Sequence, residues 1–262
     1  MKRLFIPAIT LLAATTLHAQ QKEGRIIYER TLQTQISIAG NPELERQLSK
    51  PRVNRLEVNF KNDQMTSLQL PDDSQDPDMG SGGGLTIRTV GLGSSDIIFC
   101  DFKRGLRIEQ KEMFEKTYLV TDSIRMAKWK LSDETMDILG HPCRKATTER
   151  IMKRTSMRME NGKMENKEVI DTSLAIAWYA TDIPVPGGPE MQGQLPGMIL
   201  QLEMNNGKLI YRAVEINAKA TASTLKEPTK GKKMTATAFA EERKKMTDEL
   251  RKNSGGVIRI GG

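Results

Sequence analysis

A mainly β fold, built as a strongly curved antiparallel sheet or open barrel and finished by a short C-terminal helix, is what this sequence predicts. Three observations carry the prediction. Apolar and polar residues alternate along short runs, as at Leu56, Val58 and Phe60, which is the period of a strand with one buried face. Turn residues punctuate the runs, and Asn205-Asn206-Gly207 is a tight-hairpin signal. The runs number roughly ten, and a sheet that wide curls, splits or closes.

The elements follow in order. Gly24 to Ile38 reads as a first long strand, and Pro42 to Lys50 as one or two helical turns. Arg52–Phe60 and Met65–Leu70 form strands around the turn 61–64. Pro71 to Gly84 is acidic, then glycine-rich, and reads as a solvated loop. Asp72, Asp73, Asp76 and Asp78 lack the spacing of a calcium loop. Neither Gly80–Gly84 nor Gly91-Leu92-Gly93 is followed by the Lys-Ser/Thr of a phosphate loop. Short strands are expected at 96–102, 106–111, 116–120 and 126–131, with a polar turn or single helical turn at 132–137. Cys143–Met159 and Glu168–Tyr179 are long strand candidates, and 198–204 pairs with 208–216 across the Asn-Asn-Gly turn. Ser223–Lys233 reads as a linker, and Thr235–Lys252 as a helix with Phe239, Met246 and Leu250 on one thin apolar face.

The start of the chain is a different kind of segment. Lys2-Arg3, a short apolar run from Leu4 to Leu17 and the small residue Ala19 read as a signal peptide spanning 1–19. The run is too short to span a membrane, and no later stretch is long enough. An exported, periplasmic or secreted protein is therefore expected, with a β-rich domain over 20–222 and a basic linker, helix and tail over 223–262. The net charge of +7 includes Lys2 and Arg3, leaving +5 once the leader is removed. Ten Lys/Arg and five Asp/Glu follow Leu225, so the excess sits in the tail and the body is neutral. That distribution argues against a nucleic-acid groove through the fold. Cys100 and Cys143 are the only cysteines, and in an oxidising compartment such a pair is a candidate disulfide, with two buried thiols as the alternative.

The chain is organised around 177–202, AWYATDIPVPGGPEMQGQLPGMILQL. Four prolines and four glycines fall in it, so it reads as a loop held in one geometry rather than regular structure. The pieces Trp178-Tyr179, Ile183-Pro184, Gly188-Pro189 and Gln194-Leu195-Pro196-Gly197-Met198-Ile199-Leu200 resemble the signature of the GLPGLI family of exported bacterial proteins. Gln194 and Met198 depart from the name-giving hexapeptide. A second block, Trp129-Lys130-Leu131 leading through Ile138 to Ala146, is also similar to the family. The resemblance implies no established activity. It makes Trp178, Tyr179, Pro184, Pro189, Leu195, Pro196 and Gly197 the candidate binding residues, with a structural role as the plainer reading.

Reactive chemistry has little material. Removing the leader takes His18 and leaves His141 as the one histidine, so a multi-histidine metal site is excluded. His141 and Cys143 could form a Cys–His pair only with an activated thiolate. Asp182 and Glu203, flanking the central stretch, are the nominees for a carboxylate pair. Met152, Met157, Met159 and Met164 cluster on a hairpin, the softest ligand set in the chain, suited to Cu(I). No cofactor is implied. The expected role is non-enzymatic: docking to an outer-membrane or periplasmic protein, or carriage of a lipid or other apolar small molecule on the curved sheet.

Overall fold

The computed structural model describes residues 20–33, 43, 46, 49–71, 96–113, 115–160, 163–221 and 224–253, with the side chains of 152–169 and 250–253 outside the description. The leader 1–19, most of 34–48, the loop 72–95 with its aspartates and glycines, and the final tail lie outside the described residues. Among the described residues twelve strands form one sheet: β1 (Glu23–Leu32), β2 (Arg52–Lys61), β3 (Gln64–Gln69), β4 (Ile97–Asp101), β5 (Leu106–Met113), β6 (Lys116–Ser123), β7 (Lys130–Ile138), β8 (His141–Glu160), β9 (Lys163–Ala180), β10 (Ile199–Met204), β11 (Leu209–Asn217) and β12 (Lys232–Thr235). The helix α1 (Ala236–Asn253) follows β12. The spatial order is β12-β6-β5-β4-β3-β2-β1-β11-β10-β9-β8-β7, and the sheet does not close.

Chain length alone forces the curvature. Strands β6 and β7 lie ten places apart, an arc of about 48 Å at the usual strand spacing. The connection between them is Ile124–Trp129, which reaches at most about 25 Å. The sheet must therefore bend until its two ends approach one another, and its concave face must be filled.

Two expectations are corrected. The polar run 132–137 is not a turn but the middle of β7, and 126–129 belongs to the crossing that precedes it. Its mostly exposed residues sit on an outermost strand, where solvent satisfies polar side chains and the pairing comes from β8. The linker 223–233 ends in β12, which pairs with β6 in parallel, so the sheet is mixed rather than purely antiparallel. Four residues without an alternating pattern gave no local signal; the exposed edge of β6 supplies the order.

Burial on both faces explains another departure from alternation. On the concave side Ile26, Tyr28, Val58, Phe60 and Met65 are buried in the main core. On the convex side Asn59 is also fully buried: it donates to Glu57 at 2.7 Å, and Glu57 accepts from Arg25 at 2.7 Å. The segment after β11 covers this row, with the Thr221 N–H donating to Asn59 Oδ1 at 2.8 Å. Phe99, Ile108 and Leu119 form a small apolar cluster of their own. Helix α1 starts at Thr235, whose hydroxyl accepts the Ala238 N–H at 3.2 Å as an N-cap. It seats Phe239 edge-on to Tyr118, with ring centroids 5.4 Å apart.

Strands β8 and β9 outrun their neighbours. β7 pairs with β8 as far as Thr147, and β10 with β9 as far as Ile176, while the β8–β9 register continues to Glu160↔Lys163. The overhang is a two-stranded arm about 40 Å long. Ile151, Ile170 and Leu174 are exposed along it, and their register positions share one face.

The core crossing gives a direct test of packing. A Cβ added at Gly197 would lie 2.0 Å from the Ala180 carbonyl oxygen, closer than any side chain tolerates. Gly197→Ala is expected to lower unfolding stability by about 2 kcal/mol or more in urea titration, and the exposed neighbour variant Pro196→Ala by less than about 1 kcal/mol.

Candidate functional site

The segment 181–198 leaves β9, crosses the concave face and returns as β10. It has no regular structure, yet its backbone is tied down at short intervals. Val185 N–H donates to Ile183 O at 2.8 Å, Gly187 to Val185 O at 2.7 Å, and Met191 to Pro189 O at 2.6 Å. These two-residue turns suit a chain interrupted by proline. Ile183, Val185, Met191, Leu195 and Met198 all belong to the main core cluster. Gly193 has φ +75 and faces Ile124, so the loop presses on the β6–β7 crossing. Gln194 holds that crossing, accepting from Ala127 N–H at 3.3 Å and Trp129 Nε1–H at 3.2 Å. At the far side Gly188 N–H donates to the sulfur of Met65 on β3 at 3.4 Å.

The seven signature candidates do not converge on one pocket. Tyr179, Pro189, Leu195 and Gly197 are buried, Trp178 and Pro184 are half-buried, and Pro196 is exposed. Trp178 carries Lys145 over its ring at 5.8 Å. Of the seven, Pro189 alone lines a cleft among the described residues. The segment behaves as the filling of the curved sheet.

Cys100 and Cys143 are free and fully buried, which is the two-thiol alternative of the sequence reading. Cys100 is on β4 and Cys143 on β8, with six strands between them in the sheet order. The curled sheet brings both into one core cluster, where apolar packing accommodates them as thiols. Burial pushes each thiol up to about 12, helped at Cys143 by the charges of Asp182 and Asp137. His141 Nδ1 lies 2.8 Å from Asp182 Oδ2, while the Cys143 thiol donates to the His141 backbone carbonyl at 3.4 Å. Imidazole and sulfur are thus engaged elsewhere, and a thiolate nucleophile is disfavoured. Asp182 and Glu203 have separate partners, since Glu203 accepts from Gln201 at 3.0 Å. Met157 pairs in backbone register with Asn166, and Met159 with Met164, on the arm; their side chains lie outside the described residues.

Sequence reasoning missed a polar cleft on the concave face, about 40 Å3 in volume. Arg30, Ser67, Gln69, Asp96, Glu190, Gln192 and Tyr211 supply its polar groups, and Leu56, Leu68, Ile98 and Pro189 its apolar wall. Glu190 sits exposed at the mouth with φ 58, a left-handed conformation uncommon for a residue with a side chain. The Tyr211 hydroxyl donates to Glu190 Oε1 at 2.7 Å. Burial, then the Glu190 charge, raises the Tyr211 pKa, so the phenol stays protonated and keeps donating. Behind Glu190 lie Arg107 and Lys111 of β5, both paired with Glu109. Burial drives both cations below their ordinary pKa values. Two signals were present in the sequence. Arg30 continues the inward positions of Ile26 and Tyr28, and Glu190 is the one charge between Ile183 and Leu202.

A wider open hollow of about 370 Å3 lies by the β2–β3 turn, lined by Lys61, Asp101, Lys103 and Leu225 among others. Its carboxylate is already engaged: Asp101 accepts from the Arg104 backbone and guanidinium at 2.9 Å each, which holds its carboxyl below the usual range.

These features define the class: a mainly β protein built on one open, strongly curved sheet whose concave face is filled by its own Pro/Gly segment. A family model described as "Protein of unknown function (Porph_ging)" matches residues 129–201, the stretch from the β6–β7 crossing to β10. No curated protein matches the chain. Eleven chains of solved structures match. One is the structure of PNGF-II in the C2 space group, with a TM-score of 0.50 and 16% identity over 84% of this chain and 32% of that one. PNGF-II in the P21 space group gives a TM-score of 0.48 at 15% identity, with the same coverage. This chain therefore spans about a third of PNGF-II, and the likeness in the C2 form extends to the fold alone.

The thiol environment predicts a pH dependence. Both folded pKa values lie above the ordinary thiol value of 9.0, so above about pH 9 the unfolded chain loses protons that the folded chain keeps. Stability is expected to be unaffected by these groups below pH 9 and to fall from pH 9 to 12, measured by urea unfolding. Cys100→Ala combined with Cys143→Ala should flatten that slope. In the native protein at pH 8, both thiols should resist an alkylating reagent until urea unfolds the chain.

Proposed function

We propose that the protein works in the bacterial envelope as an exported, non-enzymatic binding or accessory protein of the GLPGLI type. The observation that carries this reading is the use made of the signature: its apolar, Pro- and Gly-rich residues fill the curved sheet. What remains for recognition is the rim cleft, the convex surface and the projecting arm with its exposed Ile151, Ile170 and Leu174. An outer-membrane or periplasmic protein is the partner class such an arm suits, through exposed apolar side chains and unpaired strand edges. The leader 1–19 supports export. The non-enzymatic reading is supported by the state of the one mature histidine, held by Asp182, and by the disfavoured thiolates.

Carriage of an apolar ligand is the second reading. A pocket for a lipid chain occupies at least about 300 Å3. The cleft on the concave face has about 40 Å3, so a carrier that used this face would have to displace segment 181–198. Copper handling by the arm methionines is the third.

Cell fractionation with mass analysis tests the proposal. The expected product is a chain beginning at Gln20 in the periplasmic or secreted fraction, with no releasable small mass. A full-length chain beginning at Met1 in the cytosol would overturn export. A lipid or copper released on denaturation would replace the docking reading with the corresponding alternative.

A further inference from the structure

Two buried donors on the concave face lack acceptors, and both line the cleft at Glu190. Arg30 Nε and Gln192 Nε2 have no hydrogen-bond partner among the described residues. Gln192 is only 4% exposed, so bulk water does not compensate it. A buried N–H without an acceptor is costly, and both of these residues line the one cleft. The cleft holds carboxylate, hydroxyl and amide oxygens, yet none of them accepts from these two N–H groups.

Size and charge narrow the occupant. A cleft of about 40 Å3 admits a group of a few heavy atoms. Arg30 supplies a permanent positive charge, and a guanidinium favours planar oxyanions. Glu190 and Asp96, at the same cleft, raise the cost of every extra negative charge, which disfavours a dianionic phosphate. Glu190 takes the Tyr211 hydroxyl at the mouth through Oε1, and neither of its oxygens accepts from Arg30 Nε or Gln192 Nε2. The wall of Leu56, Ile98 and Pro189 suits the carbon attached to the group.

We propose that the cleft at Glu190 binds the carboxylate of a small molecule or of a peptide C-terminus, with Arg30 Nε–H and Gln192 Nε2–H donating to its oxygens. A free amino acid would present its ammonium toward Glu190 and a chain terminus its amide N–H, so the two are sources of one carboxylate chemistry. This inference deepens the binding reading. It is tested on purified mature protein, so its failure leaves the cellular location untouched.

The test is titration of the 15N-labelled mature protein with acetate, glycine and N-acetylglycine, followed through the Arg30 Nε–H and Gln192 amide signals. Saturable shifts with dissociation constants on the order of 1–10 mM are expected for such small probes. Glycine binding more tightly than N-acetylglycine would assign the free amino acid, and the reverse would assign the chain terminus. Gln192→Met keeps the volume and removes the donor, and it should weaken binding by about tenfold. Arg30→Lys keeps the charge and loses the planar fork, and it should weaken binding by a similar factor. The absence of saturable shifts in the unmodified protein would overturn the proposal without recourse to any variant. So would binding that both substitutions leave intact, or inorganic phosphate binding as tightly as acetate.

Discussion

Six residues join two strands that lie ten places apart, and the rest of the structure answers that constraint. A flat or gently twisted sheet could not be bridged by Ile124–Trp129. Once the sheet curls, its inner face becomes a closed-in space lined by Ile26, Tyr28, Phe60, Met65, Leu202 and Tyr211. An apolar space of that kind is filled by protein or paid for in lost packing. Segment 181–198 fills most of it, and α1 covers the inner side of β5 and β6 through Phe239.

The filling segment is linked to both ends of the constraint. It begins at β9 and ends at β10, which are neighbours, so its two ends are anchored in adjacent strands. Its middle meets Met65 on β3 and the β6–β7 crossing at Ile124, Ala127 and Trp129. Gln194 accepts two hydrogen bonds from that crossing and so fastens the filler to the link that forces the curvature. Tyr28 adds a buried anchor from β1, donating to the Ile199 carbonyl at 2.7 Å.

The fold was legible where local pattern and tertiary structure agree. The strand pairs 52–61/64–69 and 199–204/209–217 follow from alternation and turn chemistry, because a hairpin is a local object. β12 was not legible, because its partner β6 is far away in sequence, and β7 was not legible, because its polar run lacks alternation even though its partner β8 follows directly across residues 139–140. Asn59 looked like a solvent-facing strand position and is fully buried, since the strap that covers it comes from residue 221. The signature residues were legible as a shaped segment, and their separate placements could not be read from spacing. The cleft was the hardest feature, because Arg30 and Tyr211 are partners on strands distant in sequence, and Asp96 and Glu190 join them from two further segments.

The central claim is that segment 181–198 is the fixed interior of this protein and not a lid over it. Native-state amide hydrogen exchange tests it directly. The amides of Val185, Gly187, Met191, Gly193, Met198 and Ile199 are hydrogen-bonded to backbone carbonyls. The account predicts that they exchange only through global unfolding, with the same free energy and urea dependence as the amides of β10 and β11. Exchange of these amides through a low-energy opening insensitive to urea, while β10 and β11 stay protected, would contradict it.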